Sequence, residues 1–344
     1  MTLIKFILSL LVCILSLQLI ACSEIHSSSE TETAPLHLTL AYDMEQTMML
    51  DTYQTGDTTG QESAGSTSEN TNNITDNTLR IGKIRYIIRT FPIGVLYNKV
   101  KPTQEFTIIK DLQDGYNHEV TLDLQVGEQV VMVWSDLIEE GTKAACHNAD
   151  NFGEISLQDG SAGNNAYRDA FRGVGTVNVT ADMTQEAHLE VVMGRPLARY
   201  ELVSEDLAEF VNSEYADGNT DFSLEDYTAV IYYIGYMPDT YSLYTDKPVD
   251  AVTGVQFSST LTEISDSEVA LGFDYVFVPE NGSTTNIRIG IYDENGDMVS
   301  MTKTIKIPLQ RNQITRQSGA YMTQRPSDGI IIDTGLDGNI DVNI

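Results

Sequence analysis

The chain has 344 residues, with 50 Asp and Glu against 20 Lys and Arg, and a formal charge of −30. So acidic a surface stays soluble by self-repulsion and repels phosphate backbones, which excludes nucleic acid as a partner. Of the three cysteines, Cys13 and Cys22 lie in or at the end of the apolar start, so Cys146 has no partner for an internal disulfide and the fold must rest on its core.

After Lys5, fifteen residues from Phe6 to Ile20 run without a charge. That is short of the ~20 residues a helix needs to cross a bilayer. A weakly basic start, an apolar centre and a small residue before a cut describe a secretory signal. Leu19-Ile20-Ala21-Cys22 resembles the bacterial lipobox, in which the Cys is acylated and the peptide is cut just before it. Residues 1–21 are then the signal peptide and Cys22 the lipidation site, its acyl chains held in the membrane by ~0.8 kcal/mol per buried methylene. Loss of that segment removes one cation, Lys5, and leaves 323 residues with a charge of −31. This is room for two domains of about 150 residues each. Residues 22–35 are rich in Ser, Thr and Glu, with too little apolar surface to offset the entropy of ordering, and read as a flexible tether.

Leu36, Leu38 and Leu40 alternate with His37, Thr39 and Ala41, the pattern of a half-buried strand over 36–43. A lone strand is not stable in water, so it must pair beyond the loop at about 45–79, whose Gly, Ser, Thr and Asn content predicts disorder. Residues 80–91 then place Ile84, Tyr86 and Ile88 on one side and Lys83, Arg85 and Arg89 on the other. Val120, Leu122, Leu124 and Val126 alternate inward, while 128–134 is apolar on both faces, as in a central strand. Gly127 between them predicts a tight hairpin. A segment at 135–171 is too long to be mere connection, and 175–181 and 187–194 form another alternating pair.

The pattern restarts near Arg195, where the domain boundary is placed. Ser204 is positioned to cap a short helix over 205–215 whose Leu207, Phe210 and Val211 share a face. Strands resume at 226–236, 268–278, 284–293 and 297–307. Val269, Leu271, Phe273, Tyr275 and Phe277 read as a single stripe, and Asn295-Gly296 is a strong hairpin signal. The predicted fold is all-β, two antiparallel β-sandwiches covering 36–194 and 195–344.

The lipobox together with "VVMVWSDL", "YRDAF", "RPLARYELVSEDLAEF", "IGYMPDTYSLYTDKPVDAVTGVQFSS" and "IPLQRNQITRQSGAYMT" resembles the fimbrillin-like lipoproteins of Bacteroidetes. The resemblance spans roughly 36–323. It implies two transthyretin-like Greek-key sandwiches and a lipid-anchored place on the cell outer membrane, exposed at the surface. Partners are then other fimbrial subunits or host and bacterial surface ligands. In that family shaft subunits lose the first strand to cleavage after an Arg, and a neighbour's C-terminal strand fills the groove. Here the strand is Leu36 to Asp43, the first available Arg is Arg80, and the donor is the tail, with Ile330, Ile331, Ile332, Ile340, Val342 and Ile344. The tail pairing within its own domain is the alternative. Strand addition draws affinity from backbone hydrogen bonds and specificity from alternate side chains.

No HExxH, GxSxG, P-loop or GxGxxG occurs, so no catalytic residue, cofactor site or metal site is assigned and no enzyme is expected. Cys146-His147 with Asp150 lacks the second pair of ligands usual for zinc. Asp217, Asn219 and Asp221 begin like a calcium loop, but Phe222 stands where Gly is required. Six of the 17 tyrosines fall within 227–244. Among them Tyr232, Tyr233, Tyr236, Tyr241 and Tyr244 are candidates for an interaction surface, with sheet packing the alternative. Two functions follow. One is a structural or adhesive fimbrillin-like subunit or anchor, and the other a surface glycan-binding lipoprotein serving nutrient uptake.

Overall fold

The alternating stretches fold as strands, and the structure, a computed structural model, describes residues 32–43, 47–54, 82–112, 117–142, 144–158, 163–181 and 186–324. In chain order the strands are β1 (Thr33–Tyr42), β2 (Thr47–Gln54), β3 (Gly82–Pro92), β4 (Gln104–Asp111), β5 (His118–Gln125), β6 (Gly127–Glu139), β7 (His147–Asn148), β8 (Ile155–Leu157), β9 (Ala170–Val179) and β10 (Ala187–Met193). There follow β11 (Leu197–Ser204), the helix α1 (Leu207–Ala216), β12 (Thr228–Tyr233), β13 (Met237–Ser242), β14 (Lys247–Val252) and β15 (Gln256–Thr260). The last are β16 (Thr262–Glu263), β17 (Val269–Phe277), β18 (Ser283–Tyr292), β19 (Met298–Met301), β20 (Ile305–Leu309) and β21 (Gln313–Gly319).

The protein is all-β apart from α1 and single turns of 3₁₀ helix, among the described residues. A three-stranded sheet, β10-β1-β5, covers a four-stranded one, β4-β3-β6-β9, and their facing side chains form one core. A second core lies between β16-β17-β11-β21-β2 and the sheet of β15-β12-β18-β19, to which β20 adds through β18. A third cluster joins the two parts. A small sheet, β14-β13-β8-β7, draws strands from both sides of residue 195.

The long segment 135–171 supplies that bridge. It continues β6 to Glu139, then gives β7 and β8, and β8 pairs with β13. The two apolar faces of β6 also have separate destinations. Val131, Val133 and Leu137 enter the first core, whereas Val130, Met132 and Trp134 enter the third.

Several expectations need correction. Gly127 does not make a hairpin. β5 pairs with β1 and β6 with β3 and β9, so the chain crosses there from one sheet to the other; the Val126 N–H still donates to Glu32 O in continuation of the β1–β5 ladder. β9 and β10 likewise lie in different sheets, touching through the Arg172–Gly194 bridge. The predicted tether overlaps β1, whose Ala34 is buried opposite Leu124. Within the segment expected to be disordered, β2 pairs in parallel with β21, adding a strand to that sheet's edge. Ser204 belongs to β11, and Asp206 takes the N-cap position of α1.

The single stripe on β17 is divided. The register with β11 shifts between Leu202 and Val203, where Gly272 sits at φ +137°, a conformation open to glycine. The extra residue of the bulge reverses the alternation. Val269 and Leu271 therefore face the second core, while Phe273, Tyr275 and Phe277 face the third.

Candidate functional site

The first strand is the interior member of its sheet, antiparallel to β5 and parallel to β10. Leu36, Leu38 and Leu40 are buried against residues such as Ile84, Ile88 and Leu124. At ~1.5–3 kcal/mol per buried leucine they contribute roughly 5–9 kcal/mol of transfer free energy. On the outward face, His37 stacks on His188 with ring centroids 5.0 Å apart, and its Nε2 lies 2.9 Å from Glu186. The end of the strand is tied down. Tyr42 donates its hydroxyl to Ser135 Oγ at 2.7 Å, and Asp43 accepts from Asn312 Nδ2 at 3.3 Å.

Arg195 extends that tie. Its guanidinium donates to Asp169 at 2.9 Å and to Asn312 Oδ1 at 2.9 Å, and sits 4.6 Å over the Phe171 ring. Around it further arginines hold carboxylates at and beside the junction between the two parts. Arg85 grips Asp136 with two bonds of 2.8 and 2.7 Å, and Trp134 Nε1 donates to the same carboxylate at 2.9 Å. Arg168 pairs with Asp274, which also accepts from Tyr233 at 2.7 Å. Burial pushes the Asp274 carboxyl upward against the pull of Arg168. Asp246, in the turn between β13 and β14, takes Arg172 from β9 and Arg311 from the loop before β21. These carboxylates are all occupied by arginine, so the arrangement fixes position and offers no free base.

His147 lies fully buried beside this network, its ring against Trp134 at 5.5 Å and Phe277 at 5.6 Å. Neither ring nitrogen has a hydrogen-bond partner. Burial, with the positive charges of Arg168 and Arg85, pulls its pKa down to about 3. Asp150 is exposed, and its carbonyl accepts from Arg89. Asn219 donates to Glu214 and Tyr227 in the turn after α1. Among the described residues no three His, Cys, Asp or Glu side chains gather to hold a metal.

The candidate tyrosines do not share one surface. Tyr233 and Tyr241 are core residues, because strand alternation turns them inward: Tyr233 meets Tyr200 and Asp274, and Tyr241 stacks on Phe277. Tyr244 is half-buried beside Tyr97 and Phe91. Tyr236, 77% exposed, tops the turn between β12 and β13. Tyr232 lies on the outer sheet face, its hydroxyl 2.7 Å from that of Tyr292. Tyr292, beyond the tyrosine-rich segment, escaped sequence reading, since only the β12–β18 register brings the two together. Cys22, Arg80 and the tail from 325 on lie outside the described residues.

The family of unknown function DUF6562 matches residues 30–344. A search of curated proteins finds no match. Among solved structures, the chain is similar to the fimbrial anchor protein Mfa2 from Porphyromonas gingivalis, with 10% identity, 78% of this chain and 82% of that one covered, and TM-score 0.38. It is also similar to a candidate cell adhesion protein from Bacteroides fragilis, with 9% identity, 87% and 100% covered, and TM-score 0.41. A third is a candidate adhesin from Bacteroides ovatus, with 9% identity, 83% and 86% covered, and TM-score 0.42.

Proposed function

The chain belongs to the DUF6562 family of unknown function, and we propose that it is an adhesive or fimbrial structural protein of the cell surface, lipid-anchored through Cys22. It acts through strand pairing and exposed surface. The observation that carries this reading is β1, an N-terminal strand that fills the interior of a sheet with three alternating leucines. A groove lined by β5 and β10 accepts any strand with apolar side chains at alternate positions. Ile340, Val342 and Ile344 have the spacing of Leu36, Leu38 and Leu40. Removal of β1 after cleavage at Arg80 would open the groove to the tail of another copy; without cleavage the chain would serve as an anchor. The separate cores of 34–193 and 198–322 support treating 36–194 and 195–344 as two modules.

The test treats purified protein with an Arg-specific protease and follows it on denaturing and native gels. Release of the β1 segment with growth of oligomers is expected of a shaft subunit. If no strand is released and no oligomer forms, polymerisation is abandoned and the anchor role stands on lipidation alone. Labelled palmitate should enter the wild type and not Cys22→Ala; equal labelling would remove the anchor.

A second reading, capture of glycans at the surface, is favoured by one observation: Tyr232 and Tyr292 lie together on an open sheet face.

A further inference from the structure

We infer that the outer face of the β15-β12-β18-β20 sheet binds an acidic saccharide, a pyranose bearing a carboxylate or sulfate, through Tyr232, Tyr292, Arg288 and Lys306. The inference rests on the glycan-capture reading and narrows its ligand. The inward positions of these strands, such as Ile231, Ile289 and Ile307, fill the second core, leaving the alternate positions outward.

The charge of this face is unlike that of the rest of the chain. The protein has 50 Asp and Glu, yet β12, β15, β18, β19 and β20 contain none. Of the nine arginines among the described residues, eight are ion-paired to Asp or Glu: Arg85, Arg89, Arg168 and Arg172, then Arg195, Arg199, Arg311 and Arg316. Arg288 is the ninth. Its Nε donates to the Thr304 hydroxyl at 3.3 Å, and no carboxylate among the described residues pairs with it. Lys306, opposite Asn286 on the neighbouring strand, adds a second cation. A guanidinium without a carboxylate among the described residues of so acidic a molecule is suited to an anion from outside, which it can hold with paired, charge-assisted bonds.

An aromatic surface adjoins these cations. Tyr232 stands opposite Arg288 in the β12–β18 register, and Tyr292 two rows away stands opposite Thr228. Gly290 lies between them. A Cβ there would come within 2.8 Å of Tyr292 Cε2 and 3.4 Å of Tyr232 Cε2, so both rings reach across the glycine. Their hydroxyls, 2.7 Å apart, fix the pair before any ligand arrives. Rigid phenol rings offer the apolar face of a sugar a stacking partner, and exposed Gln256 and Asn286 offer amides to its hydroxyls. A neutral sugar would leave Arg288 and Lys306 unanswered. An acidic one answers both the rings and the charge.

The experiment is affinity electrophoresis of the purified chain in gels containing polygalacturonate, chondroitin sulfate or uncharged dextran. It is run near 0.15 M salt, where a Debye length of about 8 Å screens the chain's overall repulsion. Retardation by polygalacturonate, chondroitin sulfate or both, and not by dextran, is expected, and shows which anionic group is preferred. Arg288→Gln and Tyr232→Ala should each weaken binding by about tenfold or more, while Lys99→Gln, on the exposed loop after β3, leaves it unchanged. Thermal melts confirm that the variants are folded, and Arg288→Gln removes no core group. Retardation by dextran as strong as by the acidic polymers overturns the acidic preference and leaves glycan capture standing. Retardation by none of the three overturns both. Equal weakening by Lys99→Gln assigns binding to diffuse charge and overturns the site.

Discussion

His147 gives the junction a pH dependence whose size follows from its burial. The ring lies in a pocket of Trp134 and Phe277, with Asp136 Oδ2 4.0 Å from Nδ1 but already held by Arg85 and Trp134. Arg85 and Arg168 oppose a positive charge there, and Asp169 favours one more weakly. The folded pKa is depressed from 6.5 to about 3, so above pH 6.5 the residue is neutral in both states and its contribution is complete. As the pH falls below 6.5 the unfolded chain takes up a proton that the folded chain refuses. Stability is then lost at up to about 1.4 kcal/mol per pH unit, or about 3 kcal/mol between pH 7 and pH 4, until the loss levels off below the folded pKa. Acidic residues titrate over the same range, so the measurement is a comparison. Urea denaturation of wild type and His147→Leu at pH 7, 6, 5 and 4 should give curves about 3 kcal/mol steeper for wild type over that interval. At pH 7 the two should differ little, because leucine is close in volume and removes two unpartnered nitrogens. Parallel curves for the two proteins would refute the buried neutral imidazole.

Three further comparisons probe the rest of the fold. Leu38→Ala should cost about 2–5 kcal/mol in urea denaturation, whereas Thr39→Ala on the outward side should cost far less; equal losses would mean that β1 does not fill its groove. Asp274→Ala strands the buried Arg168 and should cost about 3–5 kcal/mol, much of it recovered by adding Arg168→Met, as read from thermal melts. Gly272→Ala must place a side chain at φ +137° with its Cβ 3.0 Å from Ser259 Oγ, and should cost more than about 1 kcal/mol. Gly194→Ala, where a Cβ meets nothing within 4 Å, should be close to neutral in the same melts.

Short-range patterns were legible where one rule decides them. Asn295-Gly296 forms its turn, with Gly296 at φ +82° and Asp293 accepting from the Asn295 and Asp297 amides. Ile84, Tyr86 and Ile88 share the core, as their spacing requires. The partners of the opposite side of β3 were not legible, because an arginine that pairs with a buried carboxylate has the same letter as one in water. Arg85 finds Asp136, 51 residues away. The β17 stripe failed for a related reason. A bulge adds one residue to a period of two and moves every later side chain to the other face, and Gly272 was its only mark in the sequence. Of the tyrosines, alternation within β12 already separates Tyr232 from Tyr233. The partnership of Tyr232 with Tyr292 required the pairing of strands far apart in the chain.

The two faces of β3 and β6 make strand exchange compatible with a fixed junction. Leu36, Leu38 and Leu40 pack on the face that carries Ile84, Tyr86, Val131 and Val133. The junction uses the opposite face, where Ile87, Phe91, Val130, Met132 and Trp134 meet Leu197, Tyr241, Phe273 and Phe277. The arginines keep the same division. Arg168 to Asp274 and Arg172 to Asp246 join the parts without touching β1, and Arg311 holds Asp246 from within the second part. At the end of the strand Asp43 links β1 to the Arg195–Asn312 tie, which also meets the first core where Arg195 lies over the Phe171 ring. A strand withdrawn from the groove therefore empties one side of one core and releases one tie, while the aromatic cluster and the other ion pairs remain to hold the two sandwiches in place. An incoming strand would meet a groove whose far wall, β3 and β6, is braced from behind, which lowers the entropy lost in docking. The separation also leaves the tyrosine face on β12 and β18 undisturbed, since that sheet shares no side chain with the first core.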